Sequence, residues 1–585
     1  MKLLRAVCFL LLAPGLTLAQ SSAPKPDSTS DNATVSKELK AMREALAEQQ
    51  KQIALQQQKI EKLEQQLATK QDVSAETTNG APRVMDAALR ATNPDALASP
   101  APNRSLGAQD KPKESPLSFK IGGADFTPGG FVDFENIFRT TNTGNVAATS
   151  FGAIPYSNTA QGHLTEYRAT GQYSRFNIKT HAKYGENDIT GYVEFDFNGN
   201  DAANVFVSAN GHTDRLRVYW LDLKRGKWEF LGGQTWGLQT PNRVGVSPNP
   251  ADLSLGYGED SGTHVGLNYT RAAEFRVAYH FNDHFVWAAA IQNPQQFTGG
   301  EVTFPTAFSG GVSNLTVQFD NAATPGAPNV APDFMTKMAY DNEFAGGRRY
   351  HLEGGGLMTT AKATVVPSGP SPQAFHSHST VGGGLFGDVL VDLYKDTQGR
   401  NFRFVASGMW GYGVGRYLEG LGPQVVVLPV LVSGASCAAV GAVCDIATSG
   451  VHAGDAFVGF EFVPHPKAQF GLYYGGDYFQ RNFFPDLTVA ANPAGLRPNI
   501  GFGFPNVLGA GGVQVFGGSA NTNNRAIQQG TFDWTQTFWK NPQYGAVILV
   551  TQFSYLTRAP WFVAAGAPKN AHLGMSYVSL RYVLP

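Results

Sequence analysis

Charged residues are scarce in this chain of 585 residues, of which only 16% are Asp, Glu, Lys or Arg. The formal net charge is -1, so nothing global points to nucleic acid or to an anionic membrane surface as a partner. After the first 19 residues there is also no apolar run long enough to span a membrane as a helix. What the chain does have is 66 glycines and 12% aromatic residues, a composition that favours an all-β protein with many turns over a helical enzyme.

Residues 1–19 have the features of a secretory signal peptide. Lys2 and Arg5 precede an apolar run, and Thr17-Leu18-Ala19 places small side chains at the positions used for cleavage. Pro14-Gly15 interrupts the run too early for a transmembrane helix. We therefore expect an exported protein without a helical anchor.

Residues 35–70 are predicted to form a coiled coil, after a linker at 20–34. Apolar residues recur every seven positions, and no glycine or proline interrupts the segment. The repeating positions are Leu39, Leu46, Ile53, Ile60 and Leu67, with Val35, Met42, Gln49, Gln56 and Leu63 at the second core position. A lone solvated helix would leave this seam exposed, so the pattern favours oligomerisation, as a dimer or a trimer. Residues 71–116 have no such period and are interpreted as a flexible linker.

From residue 117 to the end, the pattern has a period of two, which is typical of β-strands. A soluble sandwich would turn the apolar face of each strand inward. Three features favour a membrane barrel instead: segments of about ten residues, turns that alternate with long loops, and aromatic residues near strand ends. Residues 117–585 are therefore predicted to form a transmembrane antiparallel β-barrel of about 16 strands, with lipid outside and a water-filled lumen inside.

For one hairpin, residues 215–238, the sequence predicts which side chains face the lumen and which face lipid; its sequence is `RLRVYWLDLKRGKWEFLGGQTWGL`. Strict alternation separates Leu216, Val218 and Trp220 from Arg215 and Arg217. In a membrane barrel the charged face must be the inner one. We therefore expect the two arginines to face the lumen, and Val218 and Trp220 to face lipid.

The order of several strand motifs resembles that of a known family. `SRFNIKT`, `EFDFNG` and `LRVYWLDL…FLGGQTWGL` follow one another within about residues 170–240, behind the predicted coiled coil. This combination is similar to the DcaP-like group of trimeric outer-membrane porins. The resemblance implies a barrel of 16 strands, a homotrimer, and diffusion of small and often anionic solutes.

The candidate pore-lining residues are the charged ones on the inner faces of the strands in this region. Basic residues dominate, and two carboxylates share their face. The hypothesis is an anion-favouring constriction that the acidic pair partly neutralises; the alternative is a set of ordinary solvated residues or structural ion pairs. The set comprises Arg175, Lys179, Lys183, Arg215, Arg217, Glu194 and Asp196.

Two other groups of residues could carry chemistry. Cys437 and Cys444, the only cysteines left after signal removal, are predicted to form a disulfide that closes a loop, because no further metal ligands lie beside them. His376 and His378 could bind a metal ion, but we interpret them as part of a polar loop. No metal site, cofactor or catalytic residue is predicted.

These observations lead to an expected function. The chain is predicted to be a non-enzymatic outer-membrane porin for passive diffusion of small hydrophilic solutes, with its coiled coil in the periplasm. Its expected partners are outer-membrane lipid and further copies of itself, and no nucleic acid. Two alternatives remain open: a hydrolase built on an outer-membrane barrel, and a secreted β-rich adhesin with a coiled-coil stalk.

Overall fold

The structure is a computed structural model that describes most of the chain from residue 115 onward. The described residues are 115–143, 147–199, 212–249, 264–268, 270–294, 302–309, 315–317, 330–369, 374–419, 422–504, 524–563 and 567–585. The signal peptide, the first linker, the coiled coil and nearly all of the second linker lie outside these residues, so they stay predictions. No helix of the described residues is long and apolar enough to cross a membrane.

The described residues are dominated by β-strands. The strands are β1 Phe119–Ile121, β2 Ala124–Arg139, β3 Glu166–Thr170, β4 Arg175–Tyr184, β5 Asn187–Asp196, β6 Arg215–Arg225, β7 Trp228–Trp236, β8 Arg271–His280, β9 Phe285–Gln292, β10 Leu315–Val317, β11 Asp333–Phe344, β12 Arg348–Val365, β13 His376–Lys395, β14 Asn401–Tyr412, β15 Val425–Ser433, β16 Val443–Gly450, β17 His452–His465, β18 Ala468–Phe479, β19 Asn482–Pro485, β20 Asn499–Phe502, β21 Asn524–Asn541, β22 Gly545–Pro560 and β23 Ala571–Val583. Short helical turns lie at Phe151–Ala153, Ala160–His163, Thr306–Ser309 and Gly415–Tyr417.

Most of these strands form one closed antiparallel barrel. Each wall strand pairs with the next one along the chain, and β23 pairs with β2, where Val583 lies opposite Phe131. β3 and β4 both pair with β2 and act as one interrupted strand. Counted in this way, the described residues form 16 wall strands, which confirms the predicted antiparallel barrel and its number of strands. β15–β16 and β19–β20 are separate hairpins within the long connections.

Short turns lie at one end of the barrel and long connections at the other. The turns are residues 185–186, 226–227, 281–284, 345–347, 396–400, 466–467 and 542–544. Gly185 and Gly226 each have a φ of 58°, a conformation that glycine adopts at little cost, and this allows the two-residue turns that the sequence predicts. Exposed aromatic side chains flank these turns, as they do at a membrane interface; they are Tyr184, Trp228, Phe281, Phe344, Tyr394 and Tyr544.

The two faces of the wall are inverted relative to a soluble protein. On β2, the side chains of Phe134 and Phe138 are 56% and 43% exposed, whereas Asp133 and Glu135 are buried. The same alternation holds on β8, where Phe275 is exposed and Glu274 and Arg276 are buried. Burying the charged face and exposing the apolar one favours a barrel whose outer surface lies in lipid.

β6 departs from strict alternation, and here the prediction is wrong. Val218 and Trp220 are buried, at 1% and 7% exposure, whereas Tyr219 and Leu221 are exposed. The register between β5 and β6 shifts at Glu194, which leaves one extra residue on β6. This β-bulge lets Arg217 and Val218 both face inward and reverses the faces of the residues that follow.

Candidate permeation site in the barrel interior

The connection between β7 and β8 enters the barrel interior. Its described parts, residues 237–249 and 264–268, are here called the inner segment. The backbone N–H of Asn242 donates a hydrogen bond to the carboxylate of Glu353 on β12 (3.1 Å). The side-chain amide of Asn268 donates one to the carboxylate of Asp455 on β17 (2.7 Å). The backbone N–H of Val265 donates to the side-chain oxygen of Gln529 on β21 (2.9 Å). Because β12, β17 and β21 are not neighbours of β7 or β8, the inner segment crosses the interior and narrows it.

An ion pair fixes the middle of this crossing. Arg243 Nη1 lies 3.0 Å from Glu461 Oε2 on β17, and Arg403 on β14 contacts the same carboxylate at 3.3 Å. Both partners of the first pair are almost fully buried. A carboxylate with two guanidinium partners recovers more of its lost hydration than one with a single partner. Glu461 therefore joins the inner segment to the wall.

The β-bulge supplies a further attachment of the inner segment to the wall. The indole of Trp220 stacks on Tyr192 with ring centroids 5.4 Å apart, and its Nε1–H donates to Asn249 of the inner segment (3.2 Å). A Trp side chain buried in this way needs a partner for its N–H group, and Asn249 provides one. The inward turn of Trp220 thus has a structural role that strict alternation could not predict.

Five of the seven predicted pore-lining residues come together on β4, β5 and β6, and we call them the charged cluster. Arg217 Nε lies 2.8 Å from Glu194, and its Nη1 lies 3.2 Å from Asp196. Arg215 lies 2.6 Å from Asp196, and Arg175 lies 3.6 Å from Glu194. Three guanidinium groups and two carboxylates give the cluster a formal charge of +1. The geometry of the charged cluster therefore fits the alternative interpretation of the sequence, in which these residues form structural ion pairs.

The other two predicted residues lie closer to the short turns. Lys179 is half-buried on β4. The side chain of Lys183 is 72% exposed, and its Nζ lies 3.9 Å from Asp188. An exposed ion pair of this length contributes little to stability. A pore-lining role for any of the seven residues stays a prediction.

A second ionic group, on β11 to β13, escaped the sequence reasoning. Lys337 Nζ donates to Glu353 (2.6 Å) and to the carbonyl of Thr240 in the inner segment (2.9 Å). His351 lies between Asp341 and Glu353, with nitrogen–oxygen distances of 2.9 and 3.2 Å. The sequence pattern that indicates these inward-facing ionic residues lies in `MTKMAYDNEF` and `YHLEGG`, where charged residues are interspersed with apolar residues or glycine.

The first long connection also folds into the interior. Arg139, fully buried at the end of β2, donates to the carbonyl of Ala147 (2.6 Å) and to the hydroxyl of Thr149 (3.0 Å). It also forms an ion pair with Glu166, and Phe151 in the same connection is buried. At least two connections at the long-loop end therefore line the interior with main-chain and side-chain polar groups.

Cys437 and Cys444 form a disulfide in the connection between β14 and β17. Their Cα atoms are 5.4 Å apart, within the usual range for a disulfide. The bond closes the tip of the hairpin made by β15 and β16. His376 and His378, interpreted from the sequence as part of a loop, lie instead at the start of β13. That interpretation is wrong because the β-structure of β13 extends far beyond the apolar part of the strand.

No protein-family model matches this chain, and no curated protein matches it. The outer membrane channel DcaP of Acinetobacter baumannii is structurally similar, with a TM-score of 0.49 and 15% identity over 80% of this chain and 100% of that one. OmpF of Salmonella typhi in complex with daunomycin has a TM-score of 0.41 and 11% identity, over 80% and 100% of the two chains. An anion-selective porin from Comamonas acidovorans has a TM-score of 0.40 and 10% identity, over 79% and 100%. DcaP gives its name to the group that the strand motifs resemble.

Proposed function

We propose that this protein is an outer-membrane channel through which small hydrophilic solutes diffuse passively. The observation that supports this most is the inverted wall, in which Phe134 is exposed and the adjacent Asp133 and Glu135 are buried. A closed barrel satisfies the backbone hydrogen bonds of every wall strand, so it is stable in hydrocarbon. Its charged interior would hold water and solutes.

We further propose a mild preference for anions. The charged cluster supports it, because its three arginines and two carboxylates leave one positive charge. Across the interior, the carboxyl groups of Asp341, Glu353 and Asp388 lie beside Lys337 and His351, so positive charge does not dominate everywhere. Charge preference in a channel follows the local sum of such groups, and a net charge of +1 gives a small effect.

Planar-bilayer recordings of the purified full chain test both proposals. Stepwise conductance increases are expected, and a membrane that stays silent would contradict the channel. Under a KCl gradient, the reversal potential should indicate an anion preference. Arg217→Ala lowers the formal charge of the cluster from +1 to 0, and Glu194→Gln raises it to +2. The two variants should therefore shift the reversal potential in opposite directions; a cation-selective parent, or variants identical to it, would disprove the role of the cluster.

We also propose that the protein is a homotrimer held together in part by the coiled coil predicted at residues 35–70. The support is the heptad pattern, whose apolar seam needs partner helices, together with the resemblance to a trimeric group. Sedimentation equilibrium of the detergent-solubilised full chain should give three times the protomer mass. Ile53→Asp together with Ile60→Asp places charges in the seam and should weaken the trimer. A monomeric parent would disprove the proposal.

A further inference from the structure

Three side chains of types that commonly bind metal ions meet at the long-loop end of the barrel, where the start of β13 meets the β15–β16 hairpin. Nδ1 of His376 lies 2.8 Å from one carboxylate oxygen of Asp445, and Nε2 of His378 lies 2.9 Å from the other. The side chain of Asp445 is 10% exposed, that of His378 26% and that of His376 50%. The group is therefore anchored on its protein side and open to water on the other.

The two histidines reach the carboxylate because of strand geometry. His376 and His378 are two residues apart on β13, so their side chains leave the strand on the same face. This is the face that carries Phe386 and Asp388 into the interior further along β13. Both imidazoles therefore point toward the channel entrance, where the β15–β16 hairpin packs against β13.

Several independent contacts hold Asp445 in place. The residue before it is Cys444, which forms the disulfide and exchanges two backbone hydrogen bonds with Ser368 (2.8 and 2.9 Å). The backbone N–H of Ile446 donates to Asp445 Oδ1 (2.8 Å). Further along the hairpin, the hydroxyls of Thr380 on β13 and Thr448 on β16 are hydrogen-bonded at 2.5 Å. The carboxylate is thus fixed relative to β13 before any ligand binds, which is the arrangement that favours metal affinity.

The donor set matches a transition-metal ion better than Mg²⁺ or Ca²⁺. Two imidazoles and one carboxylate suit Zn²⁺, Cu²⁺ or Ni²⁺, whereas Mg²⁺ and Ca²⁺ require mainly oxygen ligands. All candidate ligand atoms lie within 4.8 Å of one another. Neighbouring ligands around tetrahedral Zn²⁺ are about 3.3 Å apart for bonds of about 2.0 Å. The two observed nitrogen–oxygen distances, 2.8 and 2.9 Å, are close to this separation, and each runs to a different oxygen of Asp445.

We propose that His376, His378 and Asp445 form a binding site for a divalent transition-metal ion, with Zn²⁺ as its representative. Water completes the coordination on the exposed side, as in zinc sites with three protein ligands. The bound ion clamps the β15–β16 hairpin to β13 at the entrance. With neutral imidazoles, which metal binding requires, it also changes the local formal charge from -1 to +1.

One other group of described residues could hold a metal, and it differs in a decisive way. His351, Glu353 and Asp388 lie close together in the interior, but Lys337 Nζ already occupies the group, 2.6 Å from Glu353. A divalent cation there would have to displace a buried ammonium group. Among the described residues, the structure therefore favours one ion, at the entrance site.

Titration calorimetry with ZnCl₂ tests the proposal on the full chain in detergent, free of any histidine tag. The parent should bind one Zn²⁺ per chain, and Co²⁺ at this site should give the intense visible absorption of tetrahedral coordination. His376→Ala, His378→Ala and Asp445→Asn should each weaken binding about tenfold or more. His163→Ala, which removes an exposed imidazole from another connection, should bind like the parent.

The outcomes separate a metal site from a purely structural contact. Asp445→Asn keeps one oxygen that accepts a hydrogen bond from one histidine and offers an NH2 donor to the unprotonated nitrogen of the other, so the hairpin should stay folded while Zn²⁺ affinity falls. Heat-dependent mobility on gels confirms that each variant barrel is folded. A parent without saturable Zn²⁺ binding would overturn the proposal. Equal affinity of the parent, Asp445→Asn and both histidine variants would overturn it as well.

Discussion

Arg243 and Glu461 form a buried ion pair across the barrel interior, with Nη1 and Oε2 3.0 Å apart, although 218 residues separate them in the chain. The arginine belongs to the inner segment and the glutamate to β17, on a distant part of the wall. The pair therefore fixes how far the inner segment extends into the interior. Its loss should affect permeation more than the stability of the wall, whose strands are joined by their own hydrogen bonds.

Arg243→Ala should loosen the inner segment and make single-channel currents noisier, with a changed mean conductance. Glu461 keeps its contact with Arg403 at 3.3 Å, so the cost in stability is smaller than the about 3–5 kcal/mol of a buried charge left without a partner. Recordings in planar bilayers check this. Lys120→Ala is the matched control, since it removes an exposed pair with Asp125 (3.2 Å). If the current noise of Arg243→Ala equals that of Lys120→Ala, the Arg243–Glu461 pair does not restrain the inner segment.

Leu221→Arg tests the β-bulge. Strict alternation from Arg215 places residue 221 in the interior, where an arginine would be tolerated. The bulge places Leu221 outside, and the side chain is 57% exposed. Arginine on the lipid face costs about 2–4 kcal/mol near the bilayer midplane, so the folded fraction in lipid vesicles should fall.

Leu221→Phe is the control for this substitution, because it keeps the outer face apolar and should fold like the parent. The folded fraction is read from heat-dependent gel mobility after refolding into vesicles. Normal folding of Leu221→Arg would mean that the residue faces water and that the bulge is misplaced.

Replacing both Cys437 and Cys444 by Ser should loosen the β15–β16 hairpin without unfolding the barrel. A disulfide that closes so short a loop contributes about 2–3 kcal/mol by restricting the unfolded chain. Val440, between the cysteines, is fully exposed and offers a cleavage site to elastase. The variant should be cut in the hairpin faster than the oxidised parent, while its gel mobility shift persists. Equal cleavage rates would show that the strand pairing alone protects the hairpin.

The orientation of side chains in the barrel wall was predicted well from the sequence, because it depends on local strand geometry. A residue two positions along a strand returns to the same face, so alternation alone placed Arg175, Glu194 and Asp196 on the inner face. The same rule failed at Val218, since a single inserted residue reverses the faces and leaves no mark in the composition. Sequence reasoning about a barrel is therefore reliable between bulges and unreliable across them.

The inner segment could not be predicted in this way. Residues 237–249 contain Pro241 and Pro248 and no regular period, so the sequence indicates only a connection. Its path depends on pairs such as Asn242 with Glu353, whose partners lie far away in the chain. The entrance cluster is similar, because the position of Asp445 beside His376 follows from the docking of a hairpin onto β13. Such contacts are decided by tertiary structure.

The central claim is that apolar side chains of the barrel wall face lipid and charged ones face water. Spin labels at the neighbouring positions Ile178 and Lys179 test this claim. Ile178 is 45% exposed and Lys179 lies on the inner face. Each is replaced by Cys and given a nitroxide label, and the relaxation of the label is measured in vesicles with oxygen, which concentrates in lipid, and with a water-soluble nickel chelate. The label at 178 should respond mainly to oxygen and the label at 179 mainly to nickel. The reverse result, or nickel access at both positions, would contradict the barrel orientation and with it the channel.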